Sequence, residues 1–179
     1  LDSVQYRKDY FQNRNQILSK NTRTPQWITV PVSKGSQKDL ICQKKIRFDA
    51  KSKRKYLRQI HETYNNHLFY EEIMPTIRQI FENESEYLSK LNISLIRYFF
   101  TLLGIKCKTI VSSELSLGDI PAGGVINYHI CKKLNANTYL SGVSGKEYLN
   151  EEPFKKQGIN IFYQEFEHPK YTQKNDSFV

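Results

Sequence analysis

The most informative part of the chain is residues 138–166, with the sequence TYLSGVSGKEYLNEEPFKKQGINIFYQEF. Two runs, Thr138–Leu140 and Ile159–Phe166, have the composition of strands, and short helical turns are expected between them through Lys146–Gln157. Strands joined by helices normally run parallel, with a right-handed crossover. The stretch therefore predicts a βαβ unit.

The same alternation extends upstream. We predict a strand at Lys106–Val111 and a helix near Gly123–Leu134, which makes the C-terminal half a βαβαβ unit. Residues 15–32 have the pattern of a hairpin, and a third short strand is expected near Ile46–Phe48. The predicted class is α/β: a parallel or mixed sheet with flanking helices, a Rossmann-like three-layer C-terminal half, an N-terminal β-hairpin and a helical middle.

Three helices are predicted in the middle of the chain. Asp49 is suited to cap the first one. The third is expected to begin after Asn83, which forms a variant capping box with Glu86, and to end at Gly104 in a left-handed cap. Its apolar residues cover more than one face, so we expect it to be central to the core.

Composition indicates an ordinary globular protein. The 179 residues include 27 Lys or Arg and 18 Asp or Glu, a formal net charge of +9, and 39% are hydrophobic, enough for the core of one domain. The positive excess lies in residues 1–60 and is densest over Lys44–Arg58. Such a stretch attracts phosphate on a nucleic acid, a nucleotide-sugar or a membrane surface, or it is a solvated helix face.

Several other classes are excluded or disfavoured. No run approaches the roughly 18–20 consecutive apolar residues that a membrane-spanning helix needs, so we predict no membrane span. Three cysteines without a CxxC pair favour a reducing compartment, and we expect the cytoplasm. His61, His67 and His129 have no histidine partner at helical spacing, so no metal site is predicted, and no cofactor is identified.

Polar clusters follow all three predicted strands of the C-terminal half, and the carboxyl ends of parallel strands meet at one edge of a sheet. These clusters contain Ser112, Ser113 and Glu114; Ser141, Gly142 and Lys146; and His168, Tyr171 and Gln173. We therefore expect the three clusters to face one crevice.

Each cluster also has an ordinary structural interpretation. Glu114 and His168 are the candidate catalytic residues, as general base or acid, but an ordinary exposed loop acid is slightly more common than a catalytic one, and a lone histidine is more often structural. The segment 141–146 is typical of a phosphate-binding turn, although it lacks the glycine spacing of a P-loop and is also consistent with a plain strand-to-helix turn. Serines after a strand often only cap a loop.

The N-terminal segment is dense in amides, cations and phenols. Its candidate substrate-binding residues are Gln5, Tyr6, Lys8, Gln12, Asn13 and Arg14. Such groups are costly to bury without partners, so the segment is either a solvated loop or a ligand site. Arg14 is suited to hold a carboxylate or a phosphate. We expect this segment to share the crevice with the strand ends.

Taken together, these motifs resemble the WbqC-like family. The resemblance rests on Asp2-x-Val-Gln-Tyr-x-Lys8, Gln12-Asn-Arg-Asn15, Trp27-x-Thr-Val-Pro-Val32, Ser112-Ser-Glu-Leu115, Tyr139-Leu-Ser-Gly142, Lys146-x-Tyr-Leu149 and His168-Pro-x-Tyr-x-Gln173. It spans virtually the whole chain and adds Tyr148 to the substrate-binding candidates.

The resemblance implies a function. Members of the family are bacterial proteins associated with O-antigen (lipopolysaccharide) and other surface-polysaccharide biosynthesis, so it implies a transferase that moves an amino acid such as glycine to an activated or amino sugar. The expected partner is a small-molecule substrate, a nucleotide-sugar or another phosphorylated ligand. Members usually have a further strand before and an apolar segment after the matching motifs. We therefore expect a single α/β domain over residues 1–179 that lacks pieces at both ends.

Two rival functions belong to other classes. The basic stretch Lys44–Arg58, with Tyr56 and Tyr64 nearby, would suit a nucleic-acid-binding module, although no RNA-recognition or helix-turn-helix signature accompanies it. A nucleotide-binding subunit without catalysis is the other alternative.

Overall fold

The computed structural model describes residues 2–22, 24–36, 38–83, 85–118 and 125–167. Its helices and strands are, in chain order, β1 (Arg14–Leu18), β2 (Pro25–Thr29), α1 (Ala50–Tyr64), α2 (Tyr70–Glu82), α3 (Leu88–Leu102), α4 (Val125–Lys133), β3 (Thr138–Ser141), α5 (Gly145–Tyr148), α6 (Glu152–Lys156) and β4 (Asn160–Tyr163). The chain divides into two compact units, here called the N-terminal unit (residues 2–109) and the C-terminal unit (from residue 110). The mixed helix-and-strand class is confirmed for the described ranges.

The N-terminal unit begins with the predicted hairpin, which is confirmed. Strands β1 and β2 are antiparallel, with Arg14 opposite Thr29 and Leu18 opposite Pro25. Ile17 and Ile28 are the buried residues of the two strands. The expected third strand near Ile46 is reduced to isolated bridges, from Val32 to Ile46 and from Lys45 to Tyr87.

Helices α1 to α3 supply most of the core of this unit. The Asp49 carboxylate accepts a hydrogen bond from the Ser52 N–H at 2.6 Å, so the predicted cap of α1 is confirmed. The buried core residues are Val30, Ile41, Leu57, Tyr70, Met74, Phe81, Leu88 and Leu91. They come from the hairpin end, the 3₁₀ turn at 41–43 and one face of each helix.

The predicted start of α3 is wrong, and only half of that helix is central. Asn83 is the C-cap of α2, where its N–H donates to the Gln79 carbonyl, and α3 begins after Tyr87. Glu86 forms an ion pair with Lys45 and is therefore not in a capping box. The buried residues of α3 all lie in its first half, and in its second half Ile96 and Phe99 are exposed, at 49% and 38%, whereas Tyr98, Phe100 and Leu102 are partly buried. The left-handed Gly104 is confirmed, with φ of 65°.

The C-terminal unit contains a parallel pair of strands, as predicted. Thr138 of β3 lies opposite Asn160 of β4, and Ser141 lies opposite Tyr163. Helices α5 and α6 form the connection between the two strands. The βαβ part of the prediction is confirmed by this parallel pair and its helical connection. Cys131, Phe154 and Ile159 form the buried core of the unit.

The predicted strand at Lys106–Val111 is wrong, since no strand is assigned over residues 105–111. Residues 104–110 are all exposed. The alternation of Lys106 and Lys108 with other residues therefore does not separate a buried face from an exposed one. A strand needs a neighbour for its backbone groups. The described residues form two separate two-stranded sheets, β1-β2 and β3-β4, and the Rossmann-like three-layer arrangement is not confirmed.

Candidate functional site

A cavity of about 860 Å³ lies in the N-terminal unit, over the end of the hairpin where Arg14 faces Thr29. Five of the predicted substrate-binding residues line it, namely Gln5, Tyr6, Lys8, Asn13 and Arg14. The charged residues in its wall are Arg7, Lys8, Arg14, Lys34 and Lys44, with Asp9 as the acid. We call this space the cationic cavity.

Arg14 is held in place on both sides. Its guanidinium carbon lies 4.2 Å from the ring centroid of Trp27, and Nη1 lies 3.2 Å from Oδ1 of Asp9. Nη2 donates to the Asp9 carbonyl oxygen. Nε is buried and has no hydrogen-bond partner among the described residues. Because an unmet buried donor costs about 1–3 kcal/mol, an acceptor that reached Nε would remove that cost.

The Asp9 backbone is in the left-handed region, with φ of 62°. Aspartate tolerates this conformation better than most residues do. The conformation belongs to the turn that brings both the carboxylate and the carbonyl of Asp9 to Arg14. A short-range turn thus positions the arginine at the cavity wall.

Lys44 is the buried cation of the cavity. Only 4% of the residue is exposed, and its Nζ lies 2.8 Å from Oδ2 of Asp39 and 5.1 Å from the Tyr6 ring centroid. Gly35 makes this arrangement fit, since a Cβ at that position would lie 2.1 Å from Oδ2 of Asp39 and 3.3 Å from Nζ of Lys44. The ammonium group is therefore paired and desolvated at once.

Tyr6 contributes a neutral hydroxyl to the cavity wall. Burial raises the pKa of its phenol above the ordinary value, and the negative charge of Asp9 raises it further, against the opposing effect of Arg14. Tyr6 therefore stays protonated at neutral pH and can donate a hydrogen bond to an anion.

The amides of the N-terminal segment mainly hold backbone groups. Oε1 of Gln12 accepts from the Arg7 N–H at 2.7 Å, and its Nε2 donates to the Gln5 carbonyl at 3.3 Å. Nδ2 of the buried Asn13 donates to the Val30 carbonyl at 2.9 Å. Gln12 closes the loop of residues 5–12, whereas Asn13 fastens the end of that loop to Val30, the residue after β2. Their hydrogen bonds shape the cavity.

The predicted residues after β3 lie in the C-terminal unit. Ser141 is buried, and its Oγ donates to the Gly142 carbonyl at 3.2 Å. Gly145 packs against it so closely that a Cβ would lie 2.0 Å from this Oγ. Lys146 is exposed, with Nζ 5.4 Å from the Tyr163 ring centroid, and Tyr148 is also exposed. Within the described residues, Lys146 forms no ion pair of the kind that Asp39 makes with Lys44.

The first predicted cluster forms a 3₁₀ turn at Ser112–Leu115, in which Ser112 is buried while Ser113 and Glu114 are exposed. Because no strand precedes this turn, the cluster does not lie at a strand end. His168, Tyr171 and Gln173 lie outside the described residues. Arg14 and Ser141 belong to different units, so the shared crevice stays a prediction.

The basic stretch does not form one uniform surface. Lys44 is buried against Asp39, and Arg58 lies 2.7 Å from the Glu62 carboxylate. Tyr56 packs on Phe81 with ring centroids 5.2 Å apart, and burial raises its pKa to about 12. An aromatic ring packed in this way presents little face for a nucleic-acid base.

Sequence reasoning missed part of the cavity wall. The wall residues Lys34 and Gly35 were not singled out, and Lys44 was counted only with the basic stretch. A usable signal was present, because Ser33-Lys34-Gly35-Ser36 puts a glycine beside a cation in a polar loop. The pairing of Asp39 with Lys44 had no sequence signal of its own.

In the described part of the chain, no group of three or more His, Cys, Asp or Glu side chains is placed to hold a metal ion. None of the described helices has both the length and the apolar character needed to cross a bilayer.

The fold and the cavity define a mixed helix-and-strand protein with a preformed cationic site. The chain belongs to the WbqC-like protein family, whose family model matches residues 1–179. It is 29% identical over 168 residues to an uncharacterized protein of Mycobacterium tuberculosis, Rv1507c, an alignment that covers 93% of this chain and 71% of that protein. No solved structure matches the chain.

Proposed function

We propose that the protein is a transferase of surface-polysaccharide biosynthesis whose cationic cavity binds a phosphorylated sugar substrate, in particular a nucleotide-sugar. The observation that supports this most is the collection of Arg7, Lys8, Arg14, Lys34 and Lys44 around one cavity with Asp9 as the acid in its wall. The transferase chemistry comes from the family resemblance.

The charge pattern of the cavity suits a diphosphate. Asp39 neutralises Lys44, and Asp9 neutralises Arg14. Within the described residues, Lys8 and Lys34 form no ion pair. Two phosphates would supply the missing negative charge, and charge-assisted hydrogen bonds contribute about 1.5–3 kcal/mol each.

In the proposed reaction, the amine of an amino sugar attacks the carboxyl carbon of an activated amino acid such as glycine. The new amide bond forms as the leaving group departs with its bonding electrons. A general base takes the proton of the amine, and Glu114 and His168 are the candidates for that role. Proton transfer of this kind typically contributes about 10²- to 10⁴-fold to the rate.

The proposal is tested by ligand stabilisation followed by turnover. A nucleotide-sugar at about 100 times its dissociation constant should add about 2.7 kcal/mol of stability, seen as a higher unfolding temperature. With an activated amino acid present, mass spectrometry should detect the aminoacylated sugar nucleotide, and Glu114→Gln or His168→Ala should lower the rate. A protein that binds nucleotide-sugars but never modifies them would be a binding subunit. Stabilisation by random oligonucleotides alone would favour the nucleic-acid alternative.

A further inference from the structure

Three aromatic side chains lie exposed next to one another in the N-terminal unit. Tyr10 is 54% exposed, Phe11 66% and Trp27 41%. The ring centroids of Phe11 and Trp27 are 5.2 Å apart, and those of Tyr10 and Phe11 are 6.1 Å apart, both in edge-to-face arrangements. We call these three residues the aromatic surface. A cluster of large apolar side chains in water usually marks a binding surface.

The aromatic surface adjoins the cationic cavity. Arg14 lines the cavity and also lies over the Trp27 ring, with its guanidinium carbon 4.2 Å from the ring centroid. The hairpin register places Trp27 on the same face as Thr29, another cavity residue. Two residues along a strand span roughly 7 Å. A ligand whose charged part lies at Arg14 therefore has the aromatic rings within reach.

A flat aromatic group is the occupant that fits both features. Base stacking on Phe, Tyr or Trp needs an accessible ring face, and the 66% exposure of Phe11 provides one. A phosphate attached to an aromatic group stacked here would lie close to the positive charge of Arg14, which is beside Trp27. Cavity and aromatic surface thus correspond to the two ends of a nucleotide.

We propose that the aromatic surface stacks the nucleobase of the ligand whose phosphates bind in the cationic cavity, with Phe11 as the principal stacking residue. This inference rests on the proposed function, because it assigns the second half of the same ligand. It makes the base, in addition to the phosphates, a determinant of affinity.

The test compares diphosphates that differ in the base, together with glucose 1-phosphate as a sugar monophosphate that has no base. Pyrophosphate, uridine diphosphate, adenosine diphosphate and glucose 1-phosphate are titrated calorimetrically into the wild-type protein. Either nucleotide should bind about 5- to 150-fold more tightly than pyrophosphate, the factor expected for stacking of one base. Trp27 is the sole tryptophan, so its fluorescence should change more with either nucleotide than with pyrophosphate, which reaches only the Arg14 side of the ring.

The variant for this test is Phe11→Ala, and its matched control is Phe69→Ala, a similarly exposed phenylalanine of the same unit at 60% exposure. Phe11→Ala should remove the advantage of the nucleotides and leave pyrophosphate affinity unchanged. Phe69→Ala should change neither. An equal loss in the two variants would overturn the proposal, as would wild-type nucleotide affinity equal to that of pyrophosphate.

Further outcomes separate the two proposals. If Phe11→Ala weakens the binding of glucose 1-phosphate by the same factor as that of the nucleotides, a sugar ring occupies the surface and the base assignment is overturned. If pyrophosphate fails to bind, the proposed function of the cavity is wrong. In that case, uridine and adenosine are titrated alone. A Phe11-dependent change in Trp27 fluorescence would still support stacking, and its absence would overturn it.

Discussion

The N-terminal and C-terminal units present similar residue types at their candidate sites but hold them very differently. In the N-terminal unit, Lys44 is 4% exposed and paired with Asp39, and Arg14 is fixed between Trp27 and Asp9. In the C-terminal unit, Lys146 stands on the surface above the Tyr163 ring. Two sites with similar residue types can therefore differ in how firmly the fold positions their basic groups before a ligand binds.

The units also differ in core size, and the largest effect should appear there. Among the described residues, the cluster around Phe154 has three buried members, whereas that of the N-terminal unit has eight. Phe154 is fully buried and stacks on Tyr139, with the two ring centroids 5.3 Å apart, so Phe154→Ala should cost about 3–5 kcal/mol of unfolding free energy. Urea denaturation measures this loss of stability. The exposed Phe162→Ala should cost less than about 0.5 kcal/mol, and similar losses for both would contradict this core assignment.

A smaller effect should separate two glycines. In Gly35→Ala the new methyl group would displace the Asp39 carboxylate and leave Lys44 buried without its partner. We expect a loss of about 1–3 kcal/mol of unfolding free energy in chemical denaturation. Gly142→Ala is the matched control, because no heavy atom lies within 4 Å of a Cβ built there. If both variants were equally stable, the close packing at Gly35 would not matter.

The smallest effect concerns one hydrogen bond in the C-terminal unit, from the Tyr163 hydroxyl to Oε1 of Glu151 at 2.7 Å. This bond lowers the pKa of Glu151 and raises the pKa of Tyr163 to about 12. Because the pKa of Glu151 is lowered, its carboxylate stabilises the fold at pH values above 4.5, the ordinary pKa of this group. That contribution is lost as the pH falls through the pKa of the folded state. Because the pKa of Tyr163 is raised, its phenol stabilises the fold at pH values below 10.0, the ordinary pKa of this group. That contribution is lost as the pH rises through about 12.

Tyr163→Phe should therefore lower the unfolding temperature slightly between about pH 4.5 and pH 10, and the difference from the wild type should shrink outside that window. Thermal unfolding monitored by circular dichroism across pH 3–11 measures the difference. A constant difference at every pH would mean that the bond does not contribute through these two groups.

Local signals predicted those parts of the fold that depend on a few neighbouring residues. The Asp49 cap, the hairpin and the left-handed Gly104 all follow from short-range preferences. The strand at Lys106–Val111 failed because an alternating pattern does not supply a partner strand. Asn83 failed as a cap because the preceding helix continues up to it.

The candidate site shows the same contrast between features set by neighbouring residues and features that depend on distant parts of the chain. The unusual density of amides and cations in residues 5–14 led to the segment that lines the cavity. The roles of its amides were not predictable, since Gln12 and Asn13 bind backbone groups that only the folded loop brings near. Lys44, Asp39 and Gly35 were not recognised together, because their contact depends on how the loop after β2 folds back.

The most direct test of the account is whether the cationic cavity binds phosphate through its own lysines. Lys8 and Lys34 line the cavity and are exposed, so replacing both with glutamine should not disturb the core. The matched control replaces Lys55 and Lys106, which are exposed in the same unit outside the cavity, with the same change in net charge. Pyrophosphate affinity is measured by calorimetry at low salt.

We expect pyrophosphate to bind at least about tenfold more weakly to Lys8→Gln/Lys34→Gln, because at least one charge-assisted contact is lost. We expect a change of less than about twofold in Lys55→Gln/Lys106→Gln, because that variant alters only the screened long-range field. Equal weakening in both double variants, or no binding by the wild-type protein, would contradict the assignment of the cavity as the anion site.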